Sequence, residues 1–450
     1  MFSHIRTIFV LIKHIYWGNM ILVYSDVNSS RLKYVLRLLF NDILVTEYKI
    51  CNNLEEFNES IDAKINYSSQ IIKNAISIRP SALLFEKHIA EKEIIMGEWK
   101  GLPVFFPTDK NADVPNDIFS VIFYLVSRYE EYLVTKSMDQ HGRFKAESSI
   151  AFKNHFLKQP LVNQIALKLK DKIVEKYPEI IFLPSKYQYI PTFDVDIAFS
   201  YTGKGFWRNA GGIIRSILHL KFNQLTERFK VIMGIIPDPF NNFDFIFSEL
   251  DEEEYKAIIF MNLGKYGKYD KNISFQNLKF FRLLKDLHEK AQVNIHPSYA
   301  SNSDVRLLKD EIAKLEHILG GDVIRSRQHF LILNFPGTYR NLIDLGMVED
   351  YSLGYASQLG FRASICTPFR FYDLLNEEET RLVIRPFAFM DGTMTNYLKL
   401  NSEEMLEQIK LISDSVRRVG GDLIGIWHNS SIAEDEGLRK LFKKTLSILK

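Results

Sequence analysis

The stretch that decides the fold is YQYIPTFDVD, residues 187–196. Its β-branched and aromatic residues predict a buried strand that ends where the acids begin. Because side chains alternate along a strand, Asp194 and Asp196 leave the backbone on the same side. Paired carboxylates beside a buried strand are costly unless a cation or hydrogen-bond donors offset the cost, so the pattern indicates a metal site or an acid/base pair. A strand end whose acids cap the next loop is the alternative.

Further apolar runs follow this strand and alternate with helical patterns. The alternation is typical of parallel β/α units and predicts an α/β fold, most simply a barrel of about seven strands. The later strands are predicted at residues 257–263, 293–296, 323–333, 361–366, 382–384 with 387–390, and 423–428. Short loops are predicted between residues 199 and 244, where the run KGFWRNAGG, residues 204–212, is either a lid over the barrel mouth or an ordinary packed loop.

Polar side chains recur at or near the ends of these predicted strands. They are Asp194, Asp196, His296, Arg327, His329, Asp391 and His428. A lone histidine is more often a satisfied core or surface residue than a ligand. Parallel barrels, however, build their sites at the carboxyl ends of the strands, so we expect these scattered residues to meet at one mouth. Their convergence predicts an enzyme.

The length of 450 residues exceeds what one ordinary hydrophobic core supports, so two domains are expected. The proline-containing run YPEIIFLPSK, residues 177–186, places the boundary between domains 1–185 and 186–450. The first domain is predicted to be a small α/β unit without a phosphate-cradling glycine loop or clustered His or Cys. Its run SRYEEYL, residues 127–133, is predicted to be a packed helix with a solvated charged face.

Charge and cysteine content exclude several classes of protein. The net charge of +2, from 57 basic and 55 acidic residues, argues against nucleic-acid or membrane-surface binding through bulk electrostatics. Two cysteines, Cys51 and Cys366, exclude a disulfide framework and a zinc-thiolate site. The apolar run at residues 8–12 is too short to span a membrane and no small-residue cleavage site follows, which predicts a cytoplasmic protein. Met20 is an alternative start, with the preceding residues forming an appended helix.

Several motifs together carry a family resemblance. They are TFDVD (192–196), NIHPSY (294–299), SRQHFLILNFPGTYRNL (326–342), EDYSLGYASQLGFRASICTPF (349–369) and LIGIWHN (423–429). With them, the chain from Tyr187 to Lys450 resembles the polysaccharide deacetylases with the NodB homology domain, carbohydrate esterase family 4, in the two-domain form common in Bacteroidetes. The resemblance implies a distorted (β/α)7 barrel preceded by a smaller α/β domain of unknown function. It also implies a hydrolase that removes an acetyl group from an acetylated sugar or polysaccharide.

The resemblance assigns roles to individual residues. It implies that Asp194 is the general base, that Arg327 orients it and that His428 is the general acid. It implies that Asp196 and His296 bind a divalent metal. The family motif continues with a second histidine four residues after the first, but here that position is Ala300.

Mixed carboxylate and imidazole ligands suit Zn²⁺ or a similar ion, and a catalytic zinc normally keeps three protein ligands. We therefore predict that His329 is the third ligand; the alternative is that it only forms hydrogen bonds inside the barrel. The competing function is a metal-free member that binds a glycan without hydrolysing it, which the alanine at position 300 favours. A sugar-transferring enzyme is a weaker alternative, because no nucleotide-phosphate loop is present.

Overall fold

The computed structural model describes residues 20–133, 136–250 and 257–450. These residues form two compact units. The first contains the described residues up to Tyr129, with Leu161–Ser185 and Tyr372–Glu379; the second contains Glu130–Pro160, Lys186–Phe371 and Thr380–Lys450. The predicted domain boundary at residue 185 stays a prediction. The appended helix predicted before Met20 lies outside the described residues.

The helices alternate with strands along most of the described chain. They are α1 (Ser30–Leu36), α2 (Leu54–Glu59), α3 (Ile118–Val126), α4 (Ile150–Lys153), α5 (Leu161–Lys176), α6 (Gly205–Leu218), α7 (Phe222–Ile232), α8 (Phe243–Glu249), α9 (Leu278–Lys290), α10 (Val305–Leu319), α11 (Gly337–Asp344), α12 (Ser402–Arg417), α13 (Asn429–Glu434) and α14 (Glu436–Leu449). Shorter 3₁₀ turns and two π-helical segments connect some of them.

The first unit contains a four-stranded parallel sheet in the order β2-β1-β3-β4 and an antiparallel pair, β5 and β6. These strands are β1 (Ile21–Tyr24), β2 (Tyr48–Cys51), β3 (Ala63–Asn66), β4 (Ile76–Ser77), β5 (Gly97–Trp99) and β6 (Leu102–Val104). One cluster of its core joins Leu22 and Tyr24 of β1 to Cys51 and Phe57. Every residue of α3 is buried, so this helix forms the centre of the unit.

The acids that follow α3 are buried. The prediction that residues 127–133 form a packed helix with a solvated charged face was therefore wrong. Arg128 adopts a left-handed conformation, with φ of 56°, just beyond the end of α3. Glu130 and Glu131 are 8% and 3% exposed. Within the second unit, the guanidinium of Arg362 donates from Nε and Nη2 to the two carboxylate oxygens of Glu131, at 2.9 and 2.5 Å. An acid can be buried here because a bidentate partner offsets its lost hydration.

This buried pair leads to a prediction about stability. Replacing Glu131 with Ala removes the carboxylate that faces the buried charge of Arg362. We expect the free energy of unfolding to fall by about 3–5 kcal/mol. A lower midpoint in thermal unfolding is the measurement. Glu436→Ala is the matched control, because its ion pair with Lys440 is exposed and its loss leaves the midpoint unchanged. Equal midpoints for the two variants would contradict the prediction.

The second unit is organised around a nine-stranded sheet in the order β12-β13-β11-β10-β9-β8-β7-β15-β14. The strands are β7 (Gln188–Val195), β8 (Ile258–Met261), β9 (Gln292–Ile295), β10 (Arg325–Ser326), β11 (Glu349–Asp350), β12 (Phe369–Asp373), β13 (Glu378–Ile384), β14 (Phe389–Met390) and β15 (Asp422–His428). The strands from β13 to β14 in this order pair in parallel. The prediction of a mixed α/β fold is confirmed. No pairing among the described residues joins the two ends of the sheet, so closure into a barrel stays a prediction.

Two predicted strands differ from the structure. The strand predicted at residues 323–333 is reduced to β10, because a 3₁₀ turn at His329–Leu331 follows and Phe330 and Leu331 adopt φ values of 61° and 57°. The segment 361–366 is not a strand, since Ser364 has φ of 54°, which interrupts an extended backbone. The strand β11 pairs with β10 instead.

The segment between residues 199 and 244 also differs, since it forms helices α6, α7 and α8 rather than short loops. We call this segment, which follows β7, the insertion. The carboxylate of Asp238 joins its two ends. It accepts hydrogen bonds from the backbone N–H groups of Ser200, Tyr201 and Thr202 at one end and of Phe240 at the other. In the described part of the chain, no helix has the length and apolar character needed to cross a bilayer.

Candidate active site

The sheet brings Asp194 to the carboxyl end of β7, directly beside Arg327. In the register of β7 and β15, Asp194 lies opposite His428. Nη1 of Arg327 donates to Oδ1 of Asp194 and to the hydroxyl of Thr192, both at 2.8 Å, and its Nε donates to the carbonyl of Tyr351 at 3.0 Å. Both members of the ion pair are buried, so neither can reorient freely. The pair presents a carboxylate in a defined position.

Asp196, two residues further on, faces histidines instead. Its Oδ1 lies 3.1 Å from Nε2 of His296 and 3.4 Å from Nε2 of His329. One donor atom from each of these three residues lies within 4.8 Å of the other two. The carboxylate of Asp196 is 30% exposed, whereas both imidazoles are buried, so the cluster opens toward solvent on the acid's side.

Hydrogen bonds on the far side of each ring fix the orientation of the two imidazoles. Nδ1 of His296 donates to the carbonyl of Arg327 at 2.6 Å, and Nδ1 of His329 donates to Oδ1 of Asp270 at 2.9 Å. With Nδ1 as the donor, the lone pair of each neutral ring lies on Nε2, which points at Asp196. A carboxylate or carbonyl behind the imidazole is the usual support of a metal-binding histidine.

The charges of this cluster are strongly coupled. Burial by itself would raise the pKa of Asp196, but His329, His296 and His428 hold the pKa well below its usual range. Burial by itself would lower the pKa of His329, yet Asp196 and Asp270 raise this pKa to about 9. The carboxylates of Asp196 and Asp270 therefore favour positive charge at this site.

His428 stands on the other side of Asp196, with its Nε2 at 3.8 Å from Oδ2 of that acid. Asp391 holds it through two contacts, from the imidazole Nδ1 at 2.6 Å and from the backbone N–H at 2.7 Å. Burial tends to lower the pKa of His428, but Asp391, Asp196 and Asp194 raise it to about 10. The negative charge around His428 thus favours its protonated form, and its Nε2 faces the acids.

Two cavities lie side by side at this edge of the sheet. The smaller, of about 140 Å³, is lined by both acids, His296, His329 and His428 together with apolar Leu331 and Met390. The larger, of about 410 Å³, is lined by parts of the segments 138–147 and 354–362 and by Leu331 and Tyr397. The two share Arg143, Leu331, Ala356 and Tyr397 in their walls.

The structure thus brings together all the site residues predicted from the sequence: Asp194, Asp196, His296, Arg327, His329 and His428. Their roles stay predictions. Sequence reasoning missed Asp270. The only feature of the sequence that could have indicated it is its position in the loop after β8, at the same edge of the sheet as the other site residues. The backbone N–H of Ala300 lies 3.4 Å from Oδ2 of Asp270, so the loop at the altered motif position still contacts the site.

The amino-terminal part of the chain matches a known family. Residues 21–178 match a family of unknown function, DUF7033. No curated protein matches the chain in sequence.

Solved structures resemble a larger part of the chain at low similarity. A protein of Mycobacterium smegmatis, provisionally described as a polysaccharide deacetylase, is 12% identical over 59% of this chain and 84% of its own, with a TM-score of 0.39. The polysaccharide deacetylase Bc1974 of Bacillus cereus is 12% identical over 58% of this chain and 87% of its own, with a TM-score of 0.27. A mutant CE4 family pseudoenzyme with restored enzymatic activity is 12% identical over 59% of this chain and 64% of its own, with a TM-score of 0.26.

Proposed function

We propose that this chain is a metal-dependent hydrolase that removes an acetyl group from an N- or O-acetylated sugar or polysaccharide. The observation that carries the proposal is the convergence of Asp196, His296 and His329 beside the Asp194–Arg327 pair and His428. It supplies a three-ligand cluster, a base and an acid around one small cavity.

The donor set fits a divalent cation. Oδ1 of Asp196 faces two Nε2 atoms whose rings already donate from Nδ1. With Nδ1 as the donor, each ring directs the Nε2 lone pair toward the carboxylate, and a cation between them would be held by these two lone pairs and by the acid. One carboxylate and two imidazoles suit Zn²⁺ or a similar first-row ion, with a coordination position left for substrate or water. When bound, such an ion supplies an acidified water and polarises the carbonyl of the acetyl group.

Asp194 is placed to accept a proton from the attacking water. Arg327 holds its Oδ1, which leaves Oδ2 as the basic atom at the end of β7. The guanidinium also keeps this carboxylate from rotating, because the hydroxyl of Thr192 and the carbonyl of Tyr351 tether it. A carboxylate in reach of the reacting water typically contributes about 10²- to 10⁴-fold.

His428 is placed to donate a proton to the leaving nitrogen or oxygen. Its Nδ1 is committed to Asp391, so Nε2 carries the mobile proton. The carboxylate of Asp391 favours the protonated ring, which helps to hold that proton until the leaving group develops charge. Asp194 and His428 lie on neighbouring strands at opposite positions, which suits proton removal and proton delivery within one cavity.

The shape of the cavities favours a small acyl group on a larger body. A space of about 140 Å³ is smaller than the roughly 300–1,000 Å³ of ordinary ligand pockets. The acyl group and the reacting water enter this smaller cavity. The sugar that carries the acyl group occupies the adjoining cavity of about 410 Å³.

The test is elemental analysis of the purified protein followed by an assay of acetate release from acetylated sugars. Wild type is expected to carry a near-stoichiometric divalent ion, and Asp196→Ala is expected to lose both the ion and the activity. Asp244→Ala is the control, because that carboxylate is 98% exposed. A wild-type protein that takes up no divalent ion after reconstitution would refute the proposal and favour a glycan-binding role.

A further inference from the structure

The insertion after β7 exposes an unusual amount of apolar surface. We call residues 204–235, which contain α6 and α7, the hairpin. Its exposed apolar side chains have between 47% and 84% of their surface in contact with solvent. They are Phe206, Trp207, Ile214, Ile217, Leu218, Leu220, Phe222, Phe229, Ile232, Met233 and Ile235. Contiguous apolar surface of this kind usually marks a binding surface.

The apolar residues of the hairpin share a face, and that face points outward. At 3.6 residues per turn, Phe206, Ile214 and Ile217 of α6 fall on one side of the helix. The buried residue of α6 is instead the polar Ser216, and the buried residue of α7 is Val231. A helix that packs on a core buries most of its apolar side chains, whereas α6 buries none of its own and α7 buries only Val231. The exposed apolar face therefore suits a partner outside the described part of the chain.

The hairpin is also strongly basic. It contains six Lys and Arg residues and one acid, Glu227, so its net charge is +5, whereas the net charge of the whole chain is +2. The basic residues are Lys204, Arg208, Arg215, Lys221, Arg228 and Lys230. A second copy of the same face would repel this charge, so self-association through it is disfavoured.

A cationic cavity lies at the root of the hairpin. It measures about 500 Å³, and Lys204, Arg208, Lys265 and Lys314 line it. Arg208 is held in place by the carbonyls of residues 271 and 272 and by the ring of Tyr266, 4.1 Å from its guanidinium carbon. Burial, reinforced by Arg208, lowers the pKa of Lys204 to about 8. The cavity therefore suits an anionic group such as a phosphate.

We propose that the hairpin docks this protein onto the surface of a lipid bilayer that contains anionic phospholipid. Helices that lie in the membrane interface combine Trp, Phe and Leu on one face with Lys and Arg around it, as α6 and α7 do. The apolar face enters the boundary between headgroups and acyl chains. The basic side chains and the cavity at the root meet the phosphates.

Docking would bring the candidate active site close to the membrane. The segment that leads from β7 to the hairpin begins just after Asp196. The side-chain amide of Asn429, the residue after His428, donates to the carbonyls of Ile197, before the hairpin, and Phe240, after it. If the proposed hydrolase activity holds, the acetylated sugar is one carried at a membrane surface. The docking itself depends on neither the metal nor hydrolysis.

The experiment is co-sedimentation of the full chain with vesicles of phosphatidylcholine alone and of phosphatidylcholine mixed with phosphatidylglycerol. We expect binding to the mixed vesicles that weakens as salt is raised, since the charges on both surfaces are exposed. The experiment is independent of acetate release, so failure of one proposal is distinguishable from failure of the other.

Two pairs of substitutions test the face itself. Phe206→Ser with Trp207→Ser removes apolar contact, and Lys221→Glu with Lys230→Glu reverses charge. Each basic side chain near an anionic surface contributes about fivefold in affinity, so reversing two of them lowers binding by at least about 25-fold. The matched controls are Leu411→Ser and Lys410→Glu, at exposed positions of α12. All the substituted residues are exposed, so the melting temperature checks that each variant is folded.

Loss of binding in the hairpin variants, with the controls unchanged, is the expected result. Absence of binding to the phosphatidylglycerol vesicles at low salt would overturn the proposal. So would a concentration-dependent dimer, seen by sedimentation velocity, that the same hairpin substitutions abolish, because the apolar face would then be an interface between protein copies.

Discussion

The variant His329→Ala is expected to lose its divalent metal while remaining folded. Removal of this imidazole leaves Asp196 and His296 as the two remaining ligands of the cluster, one short of a normal catalytic site. The measurement is metal affinity, determined by competition with a chromogenic chelator. Asp270→Asn, which keeps the ring but weakens its support, is expected to lower the affinity by an intermediate factor of about 10- to 100-fold.

The control for this experiment is His317→Ala, which removes an exposed imidazole from α10. It should bind metal as the wild type does. Full metal loading of His329→Ala would show that the ring only forms hydrogen bonds with Asp196 and Asp270. The three-ligand site would then be wrong, although the acid and base assignments would remain to be tested separately.

The variant Asp194→Asn is expected to keep its metal and to lose activity. Asp194 donates no atom to the three-residue cluster, so its change leaves the ligands in place. The amide oxygen still accepts the hydrogen bond from Arg327, but the side chain no longer accepts a proton from water. We expect kcat for acetate release to fall by about 10²- to 10⁴-fold.

Metal content and melting temperature, measured on the same sample, separate this result from misfolding. A folded, metal-loaded Asp194→Asn variant whose kcat stays within a few-fold of wild type would exclude Asp194 as the base. A variant that loses its metal would place this carboxylate in the coordination shell instead.

The strand that carries Asp194 could be predicted almost to its ends. Residues 187–196 contain a run of strand formers that stops at two acids, and β7 spans Gln188–Val195. The same approach failed at residues 361–366, where an apolar run is buried in irregular structure around Ser364. Apolar content alone does not distinguish a buried strand from a buried turn, because both remove side chains from water equally well.

The acids near residue 130 show a second kind of failure. Charged residues beside a helix are usually solvated, and nothing local to Glu131 distinguishes it from a surface acid. Its partner, Arg362, lies 231 positions away. Long-range pairs of this kind leave no pattern in the neighbouring sequence.

The sequence by itself determined that several polar side chains would meet at the candidate site, although it did not reveal Asp270. Parallel strands all point the same way, so residues at their carboxyl ends, such as Asp194, His296 and His428, must gather at one edge. Only the tertiary structure decided how they are used. It turned the chain after Ser326 so that His329 faces Asp196, and it set Asp270 behind that ring. The tertiary structure also decided that the apolar face of the hairpin is exposed. An amphipathic helix has the same residue pattern whether its apolar face meets a core or solvent.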